Sequence, residues 1–483
     1  MDEYQSRVVL SKEKASLVIA GAGSGKSLTI IGKVVYLIKC CNVKPEEILC
    51  ISFTNDATKN LQQNIAKYYG FTIDIYTFHR LALKIIHTSR EKYEIAPDDL
   101  LDVTIDHFFS EVVPQNAHYQ KALSLLLKTK ETTSLTSIKR LIKTFISLFK
   151  GNNYRFSYYL TILKKLNKNF NYNRLTSEKA LLLLIVNIHL MYENELSTNK
   201  YLDFNDMINK SISLLNKHNL PKKWRYVIID EYQDTSYVKF KLIDKILQLT
   251  DADFLAVGDD FQSIYRFTGC DLQIFLKFTK YFQYSKIFYI VNTYRNPQEL
   301  INVAGQFVMK NPSQQKKKLR SNKHLIKPIK IYYTQNEINT LKQIISSIPC
   351  TKEIMVLGRN NKDIYSYIDA EYKQLPNNYF EYKKRIFRYL TIHKSKGLES
   401  DIVIIINLKD HNLGIPTKIK DEKILRFVNN TKDYYPFEEE RRLFYVALTR
   451  TKTYCYLLVP YEKESIFIRE IKKYHQYIEI FKT

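Results

Sequence analysis

The chain of 483 residues is predicted to be an α/β protein with two parallel β-sheets that are covered by helices. Ten short apolar runs rich in β-branched residues punctuate the sequence, and helical patterns lie between several of them. Runs without polar alternation are typical of strands that are buried on both faces, as in parallel sheets. A glycine-rich loop follows the first run and an acidic segment follows the third, so we expect polar sites at the ends of buried strands.

The predicted strands fall into two groups, and we assign one group to each sheet. The first group flanks the glycine-rich loop and the acidic segment, and comprises Leu17–Ala20, Ile48–Phe53, Tyr226–Ile229 and Phe254–Val257. The second group comprises Ile287–Val291, Ile329–Tyr333, Ile354–Leu357, Phe387–Ile392, Ile402–Ile406 and Tyr454–Val459.

Between about Ile86 and Lys200 the sequence changes in character, with leucine-rich helical spacing, many lysines and a single glycine. We interpret residues 86–200 as a helical insertion in a first α/β domain that is formed by residues 1–85 and 201–278. Residues 279–483 then form the second domain. The segment Lys150–Phe156 is expected to be a turn, either presenting basic and aromatic groups to a ligand or forming a solvated basic face.

The glycine-rich loop AGAGSGKS fits the phosphate-loop pattern, with alanine in place of the leading glycine. It follows an apolar run and precedes a helix that we predict over Ser27–Lys39. Glycine lets the backbone approach a phosphate closely, and the helix N-terminus adds favourable N–H groups. Lys26 is expected to reach the terminal phosphates, and the Ser27 hydroxyl to ligate Mg²⁺. The predicted nucleotide-binding loop comprises Ala20, Gly21, Ala22, Gly23, Ser24, Gly25, Lys26 and Ser27.

The acidic segment DEYQD begins at Asp230, where a buried strand ends. Asp230 is expected to hold Mg²⁺ through water, and Glu231 to polarise or deprotonate the attacking water. Gln233 and Asp234 would fix the geometry around them. The two segments together predict an enzyme that binds and hydrolyses a nucleoside triphosphate with Mg²⁺ as cofactor.

The segment Ala256–Gly269 also begins where a predicted strand ends. Gln262 is an uncharged group that can touch both the γ-phosphate and a neighbouring segment. Tyr265, Arg266 and Phe267 place stacking surfaces beside a cation, a combination suited to the bases of a single strand.

Charge and composition limit the partners and the compartment. Lys and Arg exceed Asp and Glu by 25, which favours an acidic partner such as nucleic acid, although an AT-rich genome also enriches lysine. The six cysteines form no CxxC pair, which argues against a zinc or iron–sulfur site. With no signal segment and no long apolar stretch, we expect a cytoplasmic protein that does not enter a membrane.

Ten ordered segments resemble the UvrD/Rep group of superfamily 1 helicases, most closely the helicase core of the bacterial helicase IV proteins. They are Gln5, AGAGSGKS, SFTNDAT (Ser52–Thr58), TFHRLAL (Thr77–Leu83), DFNDM (Asp203–Met207), DEYQD, VGDDFQSIYRFTG, NTYR (Asn292–Arg295), TIHKSKGLE (Thr391–Glu399) and EEERRLFYVALTR (Glu438–Arg450). The resemblance implies two RecA-like (P-loop NTPase) domains, with the helical insertion in the first. It also implies a 3′–5′ DNA helicase that is driven by ATP hydrolysis.

The resemblance assigns further residues to the nucleotide. Gln5 would contact the adenine edge, Tyr294 would stack on the adenine, and Glu399 would bond the ribose hydroxyl. Arg295 and Arg450 would reach the γ-phosphate from the second α/β domain. By the same resemblance, the single-strand contacts are Phe53, Thr54, Asn55, His79, Tyr265, Arg266, Phe267, Arg359, Thr391 and His393.

The spacing of two segments departs from the larger relatives. Arg295 and Thr391 lie too close in sequence to hold the large helical domain that other members insert there, so that domain is expected to be absent or minimal. Thr268, Ser400 and Thr451 also differ from the common pattern. We expect a monomer that acts on single strands and single-strand/duplex junctions. Open alternatives are a translocase that displaces proteins without efficient unwinding, a motor subunit of a nuclease or antiphage complex with partner proteins, and a factor that remodels RNA polymerase.

Overall fold

The computed structural model describes residues 1–89, 92–128, 134–168, 175–217, 223–429 and 435–482. The strands are β1 Ala15–Ala20, β2 Ile48–Ser52, β3 Asp74–Thr77, β4 Glu94–Ile95, β5 Tyr201–Leu202, β6 Tyr226–Ile229, β7 Asp253–Gly258, β8 Lys286–Ile290, β9 Ile329–Thr334, β10 Ile354–Gly358, β11 Lys373–Leu375, β12 Tyr379–Tyr382, β13 Arg385–Thr391, β14 Ser400–Ile405, β15 Thr451–Pro460 and β16 Ile478–Lys482.

The helices surround these strands. They are α1 Glu3–Leu10, α2 Lys26–Cys41, α3 Asn55–Tyr69, α4 Phe78–Ile86, α5 Leu100–His107, α6 Ala117–Lys128, α7 Leu135–Gly151, α8 Tyr158–Lys168, α9 Ser177–Thr198, α10 Phe204–Lys217, α11 Tyr237–Thr250, α12 Leu272–Leu276, α13 Phe278–Tyr281, α14 Gln298–Val308, α15 Glu337–Ser347, α16 Glu438–Leu448 and α17 Ile466–Ile471. Within the described ranges, no helix is long and apolar enough to span a membrane.

The first sheet is parallel throughout and has the strand order β3-β2-β6-β7-β1-β8. We call this sheet and its helices the first unit. Strands β1, β2, β6 and β7 are the four that the sequence assigned to it. Because parallel strands end at the same edge, the segments that follow β1, β6 and β7 meet there. This edge gathers the phosphate loop, the acidic segment and the segment that contains Gln262.

Strand β8 corrects the assignment of the predicted strands. The sequence placed Ile287–Val291 in the second sheet, and this prediction is wrong because β8 pairs in parallel with β1, from Ser16–Lys286 to Ala20–Ile290. Strand β8 is therefore the last strand of the first sheet, and the strands of the second sheet follow it in the chain. The division into domains with a boundary at residue 279 stays a prediction, and the pairing of β8 favours a boundary after Ile290.

The second sheet has the order β11-β12-β13-β10-β14-β15-β9-β16, and we call this sheet and its helices the second unit. Its centre is parallel, whereas β11 and β12 form an antiparallel hairpin that adds to one edge through β13. The residues between Arg295 and Thr391 form α14, β9, α15, β10 and the strands up to β13. This stretch therefore builds the second unit itself.

Between β3 and β6, helices α5 to α9 pack around an apolar core of their own, which we call the helical unit. The turn expected over Lys150–Phe156 begins only at residue 152, because Lys150 and Gly151 are the last residues of α7. Lys150 is not part of a solvated basic face, because its ammonium is buried and lies 2.5–2.8 Å from the carboxylates of Glu193, Asp203 and Asp206. Burial opposes the charge of Lys150, but the three carboxylates outweigh it and raise its pKa.

Candidate functional site

The phosphate loop crosses from β1 to α2, and its shape depends on two glycines. Gly23 and Gly25 have φ angles of 70° and 76°, in the left-handed region that favours glycine. Helix α2 begins at Lys26, one residue before the predicted start, so its first N–H groups face the loop. Ser24 closes the loop by donating a 2.9 Å hydrogen bond to the carbonyl of Gly21. Exposed N–H groups at a helix N-terminus beside a glycine-rich loop are the arrangement that proteins use to bind phosphate groups.

The two acids that follow β6 lie opposite this loop. Glu231 has a φ angle of 53°, which is unusual for a residue with a side chain, and its backbone N–H donates a 2.9 Å hydrogen bond to Asp230 Oδ1. Lys26 Nζ lies 3.6 Å from Glu231 Oε1. The strained backbone of Glu231 therefore holds its carboxylate close to Lys26 and leaves the carboxylate of Asp230 at the end of β6.

The environments of the two acids differ in their effect on charge. Burial and the neighbouring carboxylate of Glu231 raise the pKa of Asp230 to about 7. Burial also acts on Glu231, but Lys26 and Lys396 outweigh it and lower the pKa of Glu231 to about 2. Glu231 is therefore ionised at neutral pH, as a group that polarises water must be.

Gln262 lies in a network that begins at the acidic segment. Gln233 donates a 2.5 Å hydrogen bond to Glu231 and accepts a 2.9 Å bond from the backbone N–H of Asp259. Asp259 in turn accepts a 2.6 Å bond from Gln262 Nε2. The same carboxylate, together with that of Asp260, is paired with the buried ammonium of Lys317. One buried ammonium thus faces two buried carboxylates, and Asp260 also accepts hydrogen bonds of 2.6 and 2.8 Å from the Gln314 amide and the Gln315 backbone N–H.

Two arginines reach this site. Arg450 follows α16 of the second unit, is 1 % exposed, and donates a 3.1 Å hydrogen bond to Gln262 Oε1. Arg295 follows β8 at the start of the connection to the second unit, and its Nη1 donates a 3.3 Å hydrogen bond to the carbonyl of Thr449. Its Nε donates a 2.7 Å hydrogen bond to Glu399. Burial and the positive charge of Arg295 lower the pKa of Arg450 to about 9. Two neighbouring cations favour the binding of an anion between them.

Lys396 completes the cationic lining. Its buried ammonium pairs with Asp234 and donates a 2.7 Å hydrogen bond to the carbonyl of Gln262. Although burial opposes its charge, Asp234 and Glu231 raise the pKa of Lys396. Lys396 lines a cavity of about 560 Å³ that is also lined by the phosphate loop, the acidic segment and both arginines. The other lining residues include Gly21, Gly23, Ser24, Gly25, Lys26, Ser27, Asp230, Glu231, Gln262, Arg295, Glu399 and Arg450.

Residues 291–295 cross from the first unit to the second directly over the phosphate loop. Tyr294 N–H donates a 2.9 Å hydrogen bond to the carbonyl of Gly23, and Thr293 donates a 2.7 Å bond to that of Ala22. A Cβ at Gly23 would lie 2.4 Å from that of Arg295, so glycine is required by this crossing as well as by its φ angle. The connection therefore contacts the loop that is predicted to bind phosphate.

Family models match most of the chain. Residues 1–283 match that of the UvrD/REP helicase N-terminal domain, and residues 373–462 match that of the UvrD-like helicase C-terminal domain. The chain belongs to the UvrD/Rep helicase family. Its two sheets are therefore the RecA-like folds of this family, as the resemblance implied.

Curated relatives agree with this assignment. DNA helicase IV of Escherichia coli (strain K12) is 26% identical over 98% of this chain and 70% of its own length. ATP-dependent DNA helicase Rep of Buchnera aphidicola subsp. Acyrthosiphon pisum is 31% identical, over 69% of this chain and 48% of its own length. A probable DNA helicase of Mycoplasma pneumoniae is 26% identical over 98% of this chain and 87% of its own length. The alignments thus span about half of the Rep relative and more of the other two.

The predicted adenine contacts lie at the outer side of the loop. Gln5 is buried and donates a 3.0 Å hydrogen bond from Nε2 to the carbonyl of Ser24, while its amide oxygen accepts from the backbone of Asp2. The exposed ring of Tyr294 lies beside them, since its hydroxyl donates a 2.7 Å bond to Asp2. These groups lie together at the N-terminus of α1, where the prediction places the adenine.

The residues present fit a magnesium ion. Ser27, in the first turn of α2, and Asp230, at the end of β6, line one cavity, and the Ser27 side chain is exposed to it. A hydroxyl and one carboxylate, together with phosphate oxygens and water, form the kind of ligand set that Mg²⁺ takes. Magnesium bound there would neutralise charge on the triphosphate and orient it.

The predicted single-strand contacts divide between the two units. In the first unit, the exposed ring of Phe267 lies 5.5 Å from that of His393, and the Tyr265 hydroxyl donates a 3.2 Å hydrogen bond to the His393 carbonyl. These three residues form one aromatic surface across the boundary between the units. Phe53 packs against Phe78, Thr54 caps α3 and is followed by exposed Asn55, and His79 packs against Phe204.

Two of the predicted DNA-contacting arginines have acidic partners. Arg359 forms hydrogen bonds of 2.9–3.4 Å with Glu440, and Arg266 forms bonds of 3.0–3.1 Å with Glu439. Thr391 is 8 % exposed and accepts a hydrogen bond from the backbone of Lys394. These residues line the boundary between the units, and the acidic residues of α16 hold the two arginines in place.

The sequence interpretation missed Lys396, Asp259 and Lys317 as members of the site. Lys396 and Asp259 lie within segments that carried the family resemblance, so their chemical types were visible there. Lys317 is the middle residue of a run of three lysines, which is typical of a solvated surface. Only the fold brings it to Asp259 and Asp260.

Proposed function

We propose that the chain is a motor that hydrolyses ATP to move 3′ to 5′ along single-stranded DNA and to unwind duplexes in repair, recombination or replication. Membership of the family and the names of the relatives support an ATP-dependent DNA helicase. The direction, the unwinding and the process rest on the family resemblance. Single strands and single-strand/duplex junctions would be its ligands, and a monomer its active form.

One observation carries the proposal, namely that a single cavity is lined by groups of both units. The phosphate loop and Glu231 belong to the first unit and Arg450 to the second, while Arg295 lies between them. Arginines that reach a γ-phosphate contribute roughly 10³–10⁵ in rate. Hydrolysis would therefore depend on the two units being closed around ATP, with Mg²⁺ held by Ser27 and Asp230.

The cavity also contacts the predicted DNA surface. Tyr265 lines the cavity and bonds to His393, whose neighbour Phe267 is exposed for stacking. Closure of the cavity would move the parts of this surface relative to each other. ATP and its products would then favour conformations that contact the DNA strand differently, which is the physical basis of stepping.

DNA-stimulated ATPase and unwinding assays test the proposal together. We expect single-stranded DNA to stimulate hydrolysis, and duplexes with 3′ tails to be unwound in preference to those with 5′ tails or blunt ends. Preference for the 5′-tailed substrate would contradict the direction. Hydrolysis that is indifferent to DNA would contradict the motor.

A translocase that displaces proteins without efficient unwinding is the second candidate. It is favoured by the stretch between Arg295 and Thr391, which builds the second unit itself. Displacement of streptavidin from biotinylated single strands, without unwinding of forked duplexes, would support this candidate. Co-purification from the native host would show whether a partner nuclease or repair protein joins the motor.

A further inference from the structure

A segment of the second unit leaves that unit and packs against the helical unit. It comprises residues 417–429, beyond the end of β14, and we call it the strap. Ile424, Phe427 and Val428 are 2 %, 9 % and 0 % exposed and belong to the apolar core that is otherwise built by α5 to α9 and nearby residues. The strap therefore contributes to the core of a unit to which it is not adjacent in sequence.

Polar contacts fix the position of the strap on the helical unit. Asn152 donates a 2.8 Å hydrogen bond to the carbonyl of Val428, and the Tyr158 hydroxyl donates a 3.0 Å bond to that of Phe427. Arg426 pairs with Glu178 at 2.5 Å. Buried carbonyls with dedicated donors indicate a defined docking site.

The strap passes two residues that are predicted to contact DNA. At its start, the backbone N–H of Thr417 donates a 3.1 Å hydrogen bond to Glu440, the same carboxylate that holds Arg359. Further along, Asp421 Oδ2 lies 3.5 Å from Arg266 Nη2. The strap thus extends from near Arg359 of the second unit, past Arg266 of the first unit, to the helical unit.

These contacts complete a ring of protein. The first unit joins the helical unit through the chain, the helical unit holds the strap, the strap belongs to the second unit, and the second unit meets the first at Tyr265 and His393. We propose that the docked strap encloses the single-strand track, so that an unpaired DNA strand passes between the strap and the surface of Tyr265, Phe267 and His393. The proposal rests on the proposed function, because it takes that surface as the DNA track.

Enclosure predicts how the strand enters and leaves. Undocking the strap would expose three buried apolar side chains to water, so the open form is rare. A strand with a free end can slide out while the strap stays docked. A closed circle can leave only when the strap opens.

The test compares release from a covalently closed single-stranded circle with release from a linear strand of the same sequence, without ATP. For the native chain, we expect release from the circle to be slower by about tenfold or more, because it requires the rare undocked state. Ile424→Asp places a charge in the apolar core and favours undocking, and is expected to remove this difference. The matched control is Ile419→Asp on the strap, where the side chain is 61 % exposed.

A second variant covers the case in which Ile424→Asp fails to fold. Tyr158→Phe keeps the ring and removes only the hydrogen bond to the Phe427 carbonyl, so we expect a smaller acceleration of release from the circle. Equal rates from the circle for the native chain, Ile424→Asp and Tyr158→Phe would overturn the enclosure while leaving DNA binding intact. Failure of the native chain to bind single strands at all would instead refute the proposed function, and the enclosure with it.

Discussion

Arg450 Nη2 lies 3.1 Å from the amide oxygen of Gln262, so a residue of the second unit is hydrogen-bonded to a residue of the first inside the nucleotide cavity. Gln262 is at the same time bonded to Asp259, which is connected through Gln233 to Glu231. This chain of hydrogen bonds connects the second unit with the group that is expected to polarise water.

Gln262→Ala should separate nucleotide binding from hydrolysis. The substitution removes the bond to Arg450 but leaves the phosphate loop intact, so we expect kcat for ATP to fall by about 10- to 100-fold with little change in KM. DNA stimulation of the ATPase should fall with kcat. Exposed Gln63, on α3, provides a control of the same type through Gln63→Ala. A change in KM alone would contradict the role.

Lys26→Ala should abolish ATP hydrolysis and leave DNA binding largely intact, because Lys26 lies at the N-terminus of α2 within the cavity. Steady-state ATPase and single-strand binding measure the two effects. Lys39→Ala, at an exposed position near the end of the same helix, is the control. Hydrolysis at the native rate in Lys26→Ala would show that the site assignment is wrong.

Phe267→Ala should weaken single-strand binding, because its ring is 57 % exposed beside His393 and is available for stacking. The expected loss is about 1–3 kcal/mol, the contribution of one stacked base. Fluorescence titration with an oligonucleotide measures it. Tyr284→Ala, at a ring that is 96 % exposed elsewhere, should have no effect. Unchanged affinity in Phe267→Ala would remove this ring from the track.

Lys317→Met should destabilise the protein, because it leaves the buried carboxylates of Asp259 and Asp260 without their ammonium. Breaking a buried pair in this way costs about 3–5 kcal/mol. We expect a lower melting temperature, and a partial recovery in Lys317→Met combined with Asp260→Asn. Lys318→Met, at the exposed neighbour, should melt as the native protein does. No difference between the two single variants would contradict the buried pair.

Acid should destabilise the fold through two histidines. Burial lowers the pKa of both His79 and His393 to about 4, helped by Lys239 near the first and by Arg359 and Lys396 near the second. An unfolded histidine titrates near 6.5, so the unfolded chain binds more protons between pH 6.5 and 4. Their contribution to the free energy of unfolding is fully present above that window and declines as the pH falls through it.

His393→Gln isolates one of these contributions. The difference in stability between the native protein and the variant should be constant above pH 7 and should shift by about 3 kcal/mol between pH 6.5 and 4. Denaturant unfolding at several pH values measures it. A difference that does not vary with pH would show that His393 titrates normally in the folded state.

Local patterns in the sequence were sufficient for the core of the site. The phosphate loop needs glycine at particular φ angles, and the strand before it and the helix after it are encoded within a few residues. The acidic segment is similarly local. The apolar runs also predicted the two large sheets, because strands that are buried on both faces lack polar alternation, but they did not predict the small sheet of β4 and β5.

The features that the sequence did not predict depend on contacts between residues that lie far apart in the chain. Strand β8 has the same apolar character whichever sheet it joins, and only its register with β1 decides. Lys150 and Lys317 resemble solvated lysines in sequence, yet both are buried because carboxylates from other segments surround them. The strap belongs to the same class, since its apolar residues form no periodic pattern and their partners lie more than 200 residues away.

The crossing of residues 291–295 over the phosphate loop places the connection between the two units beside the predicted phosphate site. In a lever, the arm nearest the fulcrum moves least and the far end moves most. A displacement of ångström size at the γ-phosphate, close to Gly23 and Arg295, would thus be magnified at the outer rim of the second unit. Under the proposed function, the loss of one phosphate group would in this way move the second unit along the DNA strand.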